Sequence, residues 1–299
     1  MNLKLTFLFF FITILVLNAQ NEFDMETVSL SQRWGLVQPS NKKQLFKFEP
    51  YKPVYILFAN YTNDINEQPT SENPANTVPV PLELNQVELK FQLSFKTKVL
   101  QNILGEKTGG DLWIAYTQSS RWQVYNEAYS RPFRETNYEP EVIFMLPTKY
   151  KLFGLQGVYS GIGLMHQSNG RSNPLSRSWN RIVFRFGLEA KGWAVIFKPW
   201  IRISEDFEDD NNPNIENYVG RAELLVAHKY KKHQISFRGR HSLNTGSNNR
   251  GSIQIDYAAE LYNNLRIYTQ FSHGYGESLI DFNHKQTTFG IGLSLLNWM

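Results

Sequence analysis

Past its first twenty residues, no part of this 299-residue chain approaches the ~20 continuous apolar residues that a membrane-spanning helix needs. What the chain has instead is alternation. Val87, Leu89, Phe91, Leu93 and Phe95 are interleaved with Glu88, Lys90, Gln92 and Ser94. Leu265, Ile267, Thr269 and Phe271 alternate with Arg266, Tyr268, Gln270 and Ser272, and Phe289, Ile291, Leu293 and Leu295 with Thr288, Gly290, Gly292 and Ser294. Successive side chains of a strand point to opposite faces, so each run has one apolar and one polar face. About twelve such segments of ~9–11 residues follow residue 50, the length that crosses a bilayer in a barrel. The mean hydropathy of −0.40 averages this alternation away.

A soluble sandwich with its apolar faces inward has the same pattern. Three features favour the membrane: an N-terminal export segment, tryptophans near strand ends (Trp113, Trp122, Trp193, Trp200, Trp298), and an even strand count. The expected fold is therefore all-β, a transmembrane antiparallel barrel of about 12 strands over residues 51–299. Residues 1–19 read as a signal peptide, with Lys4, an apolar core from Leu5 to Leu17, and Ala19 before the cut. Residues 20–50 are mixed and polar and are expected as an N-terminal arm outside the barrel.

The charge balance of 31 basic to 27 acidic residues gives only +4, which does not call for nucleic acid. Zero cysteines exclude disulfides, thiol catalysis and lipoprotein anchoring. The polar faces carry Glu88, Lys90, Arg181, Arg185, Glu189, Arg221, Glu223 and Arg238. In a barrel of twelve strands these either line a pore or pair with one another, and the modest interior favours a hydrogen-bonded plug. The connections 62–85, 205–216 and 242–250 are long and polar, while "TKYKLFG" and "AHKYKKHQ" hold short turns. Long loops lie outside and short turns in the periplasm in such barrels, which puts the 167–178 connection at the outer end.

That connection belongs to "YSGIGLMHQSNGRSNPLSRSWNRIVFR", Tyr159–Arg185. Val158, Ile162, Leu164, His166 and Ser168 share a face of its first run; Asn180, Ile182, Phe184, Phe186 and Leu188 share a face of the second. An imidazole, a hydroxyl and an amide thus gather at one end of an apolar surface. A serine hydroxyl needs a base to remove its proton, and the base needs a third group to hold its ring and tautomer. His166 as base, Ser168 as nucleophile and Asn180 as orienter fit those roles, with N–H groups around Gly170 as oxyanion donors. An H-x-S pair in a strand is common, however, and does not by itself establish catalysis.

"HQSNGRSNPLSRSWNR" and "RPFRETNYEPE" resemble the two signature stretches of the outer-membrane phospholipase A family. "KPW", "LRIYTQ" and "GYGESLIDFN" resemble it further along, in order, so the likeness covers most of the chain from about Tyr51. The resemblance implies a phospholipase A1/A2 of the bacterial outer membrane that cleaves sn-1 and sn-2 acyl esters, its site facing the outer leaflet. It also implies a calcium cofactor, held by the Arg171 carbonyl, Ser176 and Ser130, and a calcium-dependent homodimer as the active form, the monomer being inactive. Asn173 stands where the family has an acid, which would weaken the cation site. The acidic run "EDFEDDNN", Glu205–Asn212, reads as a solvated loop or as a second calcium site. The remaining histidines have no metal-ligand spacing, and there is no G-x-S-x-G elbow or P-loop. The competing reading is a non-enzymatic porin or structural barrel, which explains the alternation equally well but not the ordered likeness around His166.

Overall fold

The computed structural model describes residues 28–36, 45–296 and 298–299; the expected signal peptide lies outside them. The barrel consists of twelve long strands: β2 (Val54–Thr62), β3 (Val87–Leu100), β4 (Asp111–Trp122), β5 (Phe133–Leu152), β6 (Leu155–Ser168), β7 (Ser178–Ala190), β8 (Trp193–Ile203), β9 (Ala222–Tyr230), β10 (His233–His241), β11 (Gly251–Tyr262), β12 (Leu265–Tyr275) and β13 (Lys285–Leu296). Each pairs antiparallel with its neighbours in sequence, and β13 pairs with β2 to close the ring. Closure leaves no exposed edge for another chain to pair with. A short β1 (Phe48–Pro50) prolongs β2 along the same side of β3, from which it is separated by Tyr51, Lys52 and Pro53. Pro50 and Pro53 have no N–H for the ladder, which accounts for the interruption.

Side-chain placement inverts that of a soluble domain. The outer wall is apolar, with Leu93, Ile114, Val142, Ile162, Leu164, Ile201, Ile235, Ile253 and Ile291 all exposed. The inner face holds buried charge, including Glu88 at 0% exposure and Arg185 at 2%. Such a surface is stable in hydrocarbon, where all backbone polar groups are satisfied strand to strand. The sandwich alternative fails on this point.

The lumen is filled. Arg134 bonds Glu88 at 2.9 Å and Asp281 at 3.0 Å. Lys52 pairs with Glu139 and Lys198 with Glu223, both at 2.5 Å, and Arg185 with Glu141. The connection 276–284, from the "GYGESLIDFN" stretch, folds inward and is clamped by these strands: Glu277 accepts from Arg121 at 2.7 Å and from Lys90, Leu279 N–H donates to Asn137 at 3.1 Å, and Ile280 N–H to Glu135 at 3.1 Å. Among the described residues, cavities of about 80 Å³ each, lined by residues such as Arg121, Arg238 and Arg240, leave room for ordered water.

Three expectations need correction. Residues 28–36 of the N-terminal arm pack inside the barrel, not outside, whereas residues 45–50 run along β3 with Phe46 and Phe48 exposed. A one-turn helix, α1 (Leu30–Arg33), is capped by Ser29, and Trp34 beyond it packs edge-on against Tyr51, Trp113 and Tyr159 with the Lys96 ammonium 3.8 Å over its ring. Ser31 donates to the Glu189 carboxylate at 2.6 Å. Burying this apolar helix face fills the end of the lumen that carries the short turns, alongside Trp298 and Met299. Second, Trp113, Trp200 and Trp298 point inward and are buried, so they are lumen filling rather than an interfacial girdle; Trp193 is exposed. Third, Val158 does not share the face of Ile162: it is skipped by a bulge between β6 and β7 and is buried with the interior cluster.

Six longer connections gather at one end of the barrel (63–86, 123–132, 169–177, 204–221, 242–250, 276–284) and the tight turns 153–154, 191–192, 231–232 and 263–264 lie at the other, together with 101–110.

Candidate active site

The β6–β7 register pairs His166 with Asn180 and Ser168 with Ser178, at the end of the hairpin that carries the longer connections. His166 is exposed and Ser168 and Asn180 are half-buried, on the outer wall beyond Ile162 and Leu164. Gln167 between them points inward, where its carbonyl accepts from Trp179 Nε1 at 2.8 Å and Arg181 Nη2 at 3.0 Å, and its amide donates to Glu139 at 3.1 Å. Those three bonds lock the strand so that its neighbours must face outward.

His166 Nδ1 and Asn180 Oδ1 are 2.8 Å apart. An amide oxygen only accepts, so Nδ1 carries the proton and Nε2 presents its lone pair. Ser168 lies two residues along the same face, about 6–7 Å at the Cα. Its hydroxyl makes no hydrogen bond among the described residues. The structure therefore brings the candidate base and orienter together and puts the candidate nucleophile beside them without closing an Nε2–Oγ bond, which commonly tightens only with substrate present. One partner escaped the sequence reading: Asn180 Nδ2 donates to Glu205 Oε1 at 2.9 Å.

The loop after Ser168 is rigidly held. Asn169, buried, accepts from Arg177 N–H at 3.0 Å and donates to Leu175 O at 2.8 Å and to Glu135 at 3.2 Å, linking the loop to the lumen network. Arg177, fully buried, donates to Thr70 O and Asn76 O across the 63–86 loop. Burial lowers its guanidinium to about 10, still protonated at neutral pH. Asn76 in turn donates to Asn173 Oδ1, Ser176 O and Asn211 Oδ1. Gly170 sits at φ +62°, and a Cβ there would lie 3.2 Å from the Tyr138 ring, so the position favours glycine on both counts. Its N–H has no acceptor among the described residues and is free to donate to an oxyanion.

Arg171 and Ser176 occupy this loop and Ser130 the neighbouring 123–132 connection, at the same end of the barrel. The Arg171 side chain is tied to Arg134 O at 3.1 Å. The Arg171 carbonyl and the Ser176 and Ser130 hydroxyls make no hydrogen bond among the described residues. No cluster of three or more His, Asp or Glu side chains suited to a metal occurs among the described residues, and two acids of the run are committed elsewhere, Glu205 to Asn180 and Asp210 to Arg202 at 2.6 Å. A second calcium site there has no support. Among the remaining histidines, His228 bonds Gly192 O, His233 the Tyr257 hydroxyl and His273 the Thr287 hydroxyl, which are structural roles.

The profile of the family described as Phospholipase A1 matches residues 30–295. Among characterised relatives, phospholipase A1 of Salmonella typhimurium is 37% identical over 84% of this chain and 82% of its own length. A putative phospholipase A1 of Neisseria meningitidis is 39% identical over 81% of this chain, which spans 64% of that relative. Of solved structures, outer membrane phospholipase A from Escherichia coli superposes with a TM-score of 0.74 and 35% identity, covering 85% of this chain and all of that one. The Salmonella typhi outer membrane phospholipase dimer with bound calcium gives 0.74 and 33%, over 86% of this chain and 95% of that one. Barrel fold and sequence agree: the chain belongs to the phospholipase A1 family of outer-membrane β-barrels.

Proposed function

We propose that this barrel hydrolyses the sn-1 and sn-2 acyl esters of glycerophospholipids from the outer leaflet, with Ser168 as nucleophile, His166 as base and Asn180 as orienter. The observation that carries the reading is the 2.8 Å His166–Asn180 pair beside Ser168 on an apolar outer wall. Lipid reaches such a site laterally, with no pocket required. Ser168 Oγ attacks the ester carbonyl carbon while His166 Nε2 accepts its proton, and the tetrahedral oxyanion takes a hydrogen bond from Gly170 N–H. His166 then returns the proton to the leaving glycerol oxygen, releasing lysophospholipid and leaving the acyl group on Ser168. Water, deprotonated by the same nitrogen, cleaves the acyl-enzyme to free fatty acid and serine.

Calcium fits the oxygen donors at this end of the barrel. The Arg171 carbonyl, Ser176 and Ser130 are free of internal bonds and of the kind that hard cations prefer, and the lack of acidic ligands makes for loose binding. Bound there, the ion would supply positive charge to the oxyanion. The related Salmonella typhi structure is a dimer with bound calcium. By that analogy the active form here is a calcium-linked homodimer and the monomer is idle, which keeps an enzyme embedded among its substrates switched off. The long-loop end faces the cell exterior, following the loop-length rule for such barrels.

The test is fatty-acid release from sn-1- and sn-2-labelled phospholipid in mixed micelles, with the refolded barrel in calcium or in chelator. Release at both positions that needs calcium and vanishes in Ser168→Ala is expected. Undiminished release by Ser168→Ala would overturn the assignment.

A further inference from the structure

We infer that Glu205 is a positioning residue of the hydrolytic site, acting on His166 through Asn180; this rests on the reading of His166 and Ser168 as base and nucleophile. β7 and β8 pair Asn180 with Ile203, the last residue of β8, so the chain leaving that strand passes directly beside the amide. Two residues on, the Glu205 carboxylate accepts from Asn180 Nδ2 at 2.9 Å. The acids that follow, Asp206, Glu208 and Asp209, are exposed, whereas Glu205 is half-buried and committed. Its loop is anchored at both ends of the acidic run: Asp206 O accepts from Asp210 N–H at 2.9 Å, and Arg202 bonds Asp210 and Glu216.

The chemistry follows from donors and acceptors. The two ends of an asparagine amide are nearly isosteric, and either can face an imidazole. If Nδ2 faced His166, the ring would have to accept at Nδ1 and carry its proton on Nε2, and it could not then take a proton from Ser168. An ionised carboxylate only accepts, so Glu205 pins the NH2 end and leaves Oδ1 for His166. The neutral Ser-His-Asn set is thereby given a fixed sense, and a negative charge stands one hydrogen bond behind the ring.

The experiment compares Glu205→Ala, Glu205→Gln, Asn180→Ala and the Glu205→Ala/Asn180→Ala double variant in the full refolded barrel with calcium. Glu205→Ala is expected to lower kcat about ten-fold with KM unchanged, the scale of one orienting hydrogen bond. Glu205→Gln keeps an acceptor and is expected to retain most of kcat. In the Asn180→Ala background, Glu205→Ala is expected to cost nothing further. A readout independent of turnover is the ¹⁵N spectrum of His166: Nδ1–H alone in the parent, and mixed tautomers in Glu205→Ala. Additive losses in the double variant, a Gln variant as impaired as Ala, or an unchanged tautomer in Glu205→Ala would each overturn the role of Glu205. A parent barrel without hydrolase activity would instead overturn the proposed function, and the tautomer comparison would still decide the role of Glu205.

Discussion

Arg134, from the "RPFRETNYEP" stretch, should be the residue whose loss most damages the barrel. At the start of β5 the register passes from Arg121↔Glu135 to Trp122↔Phe133, so Arg134 is the extra residue of a bulge. The bulge turns its side chain inward beside that of Glu135, although neighbours in a regular strand face opposite ways. Inside, it makes paired bonds of 2.9 Å to both oxygens of Glu88 and one of 3.0 Å to Asp281, and all three groups are buried. Arg134→Ala leaves two fully buried carboxylates without their guanidinium partner. Breaking a buried ion pair by removing one partner costs about 3–5 kcal/mol, or roughly 10²–10⁴ in the folding equilibrium. The exposed pair of Arg131 and Glu127, at a comparable 2.6 Å, is the control, since such pairs contribute about 0–1 kcal/mol. Urea unfolding in detergent micelles, followed by tryptophan fluorescence, reads both. Arg134→Ala with Glu88→Gln and Asp281→Asn should recover much of the loss by removing the stranded charges. A loss below about 1 kcal/mol for Arg134→Ala, or one matching Arg131→Ala, would refute the reasoning that a buried ion network holds the 276–284 connection in place.

Three further outcomes are expected. Asn180→Ala should reduce turnover less than His166→Ala, because in the proposed mechanism a neutral amide orients the ring whereas the imidazole moves the proton; equal losses in kcat would show that Asn180 does more than orient. Chelation should abolish hydrolysis and shift the barrel to monomer together, and Ser176→Ala should raise the calcium required for both, checked by titration with sedimentation; calcium-independent activity from a monomer would refute it. Burial alone would raise the carboxyl of Glu277, but Arg121 and Lys90 outweigh it and hold it well below the usual range; Asp281, also buried, is held down by Arg134 and Ser278. Folded values below the unfolded ~4.3 and ~3.9 mean that this stability is full above about pH 5 and drains away as pH falls through the folded values. The urea midpoint should therefore fall steeply below about pH 4, and less so in Glu277→Gln.

The sequence made the wall of this barrel legible because lipid-facing residues obey a strict two-residue period. The same period put His166, Ser168 and Asn180 on one face, and hairpin pairing alone then brings His166 opposite Asn180. The interior was less legible. Of the charged side chains expected on the inner face, Arg221 instead bonds Glu216, Asn217 and Ser242 in the connections, and which of the others pair depends on contacts between residues far apart in sequence, as with Glu88 and Arg134 or Lys90 and Glu277. Trp113 and Trp200 occupy positions that suit an interfacial girdle, and only the three-dimensional parity of their strands shows that they fill the lumen. Trp34 had no periodic context, so nothing marked it as an internal plug. Glu205 was hidden in a run of acids, and only the register that ends β8 beside Asn180 distinguishes it from them. Asn169 and Glu135 lay within the stretches that carried the family likeness, but their mutual bond becomes visible only once the loop is folded over β5.

In the proposed mechanism Ser168 is made nucleophilic by the His166–Asn180 pair on the outer wall. The most direct measurement is mass-spectrometric mapping of the refolded barrel after reaction with a sulfonyl fluoride of long alkyl chain, in calcium. One adduct is expected, on Ser168, formed in step with loss of phospholipid hydrolysis and absent from His166→Ala. Adducts on another serine, or full activity with Ser168 modified, would contradict it.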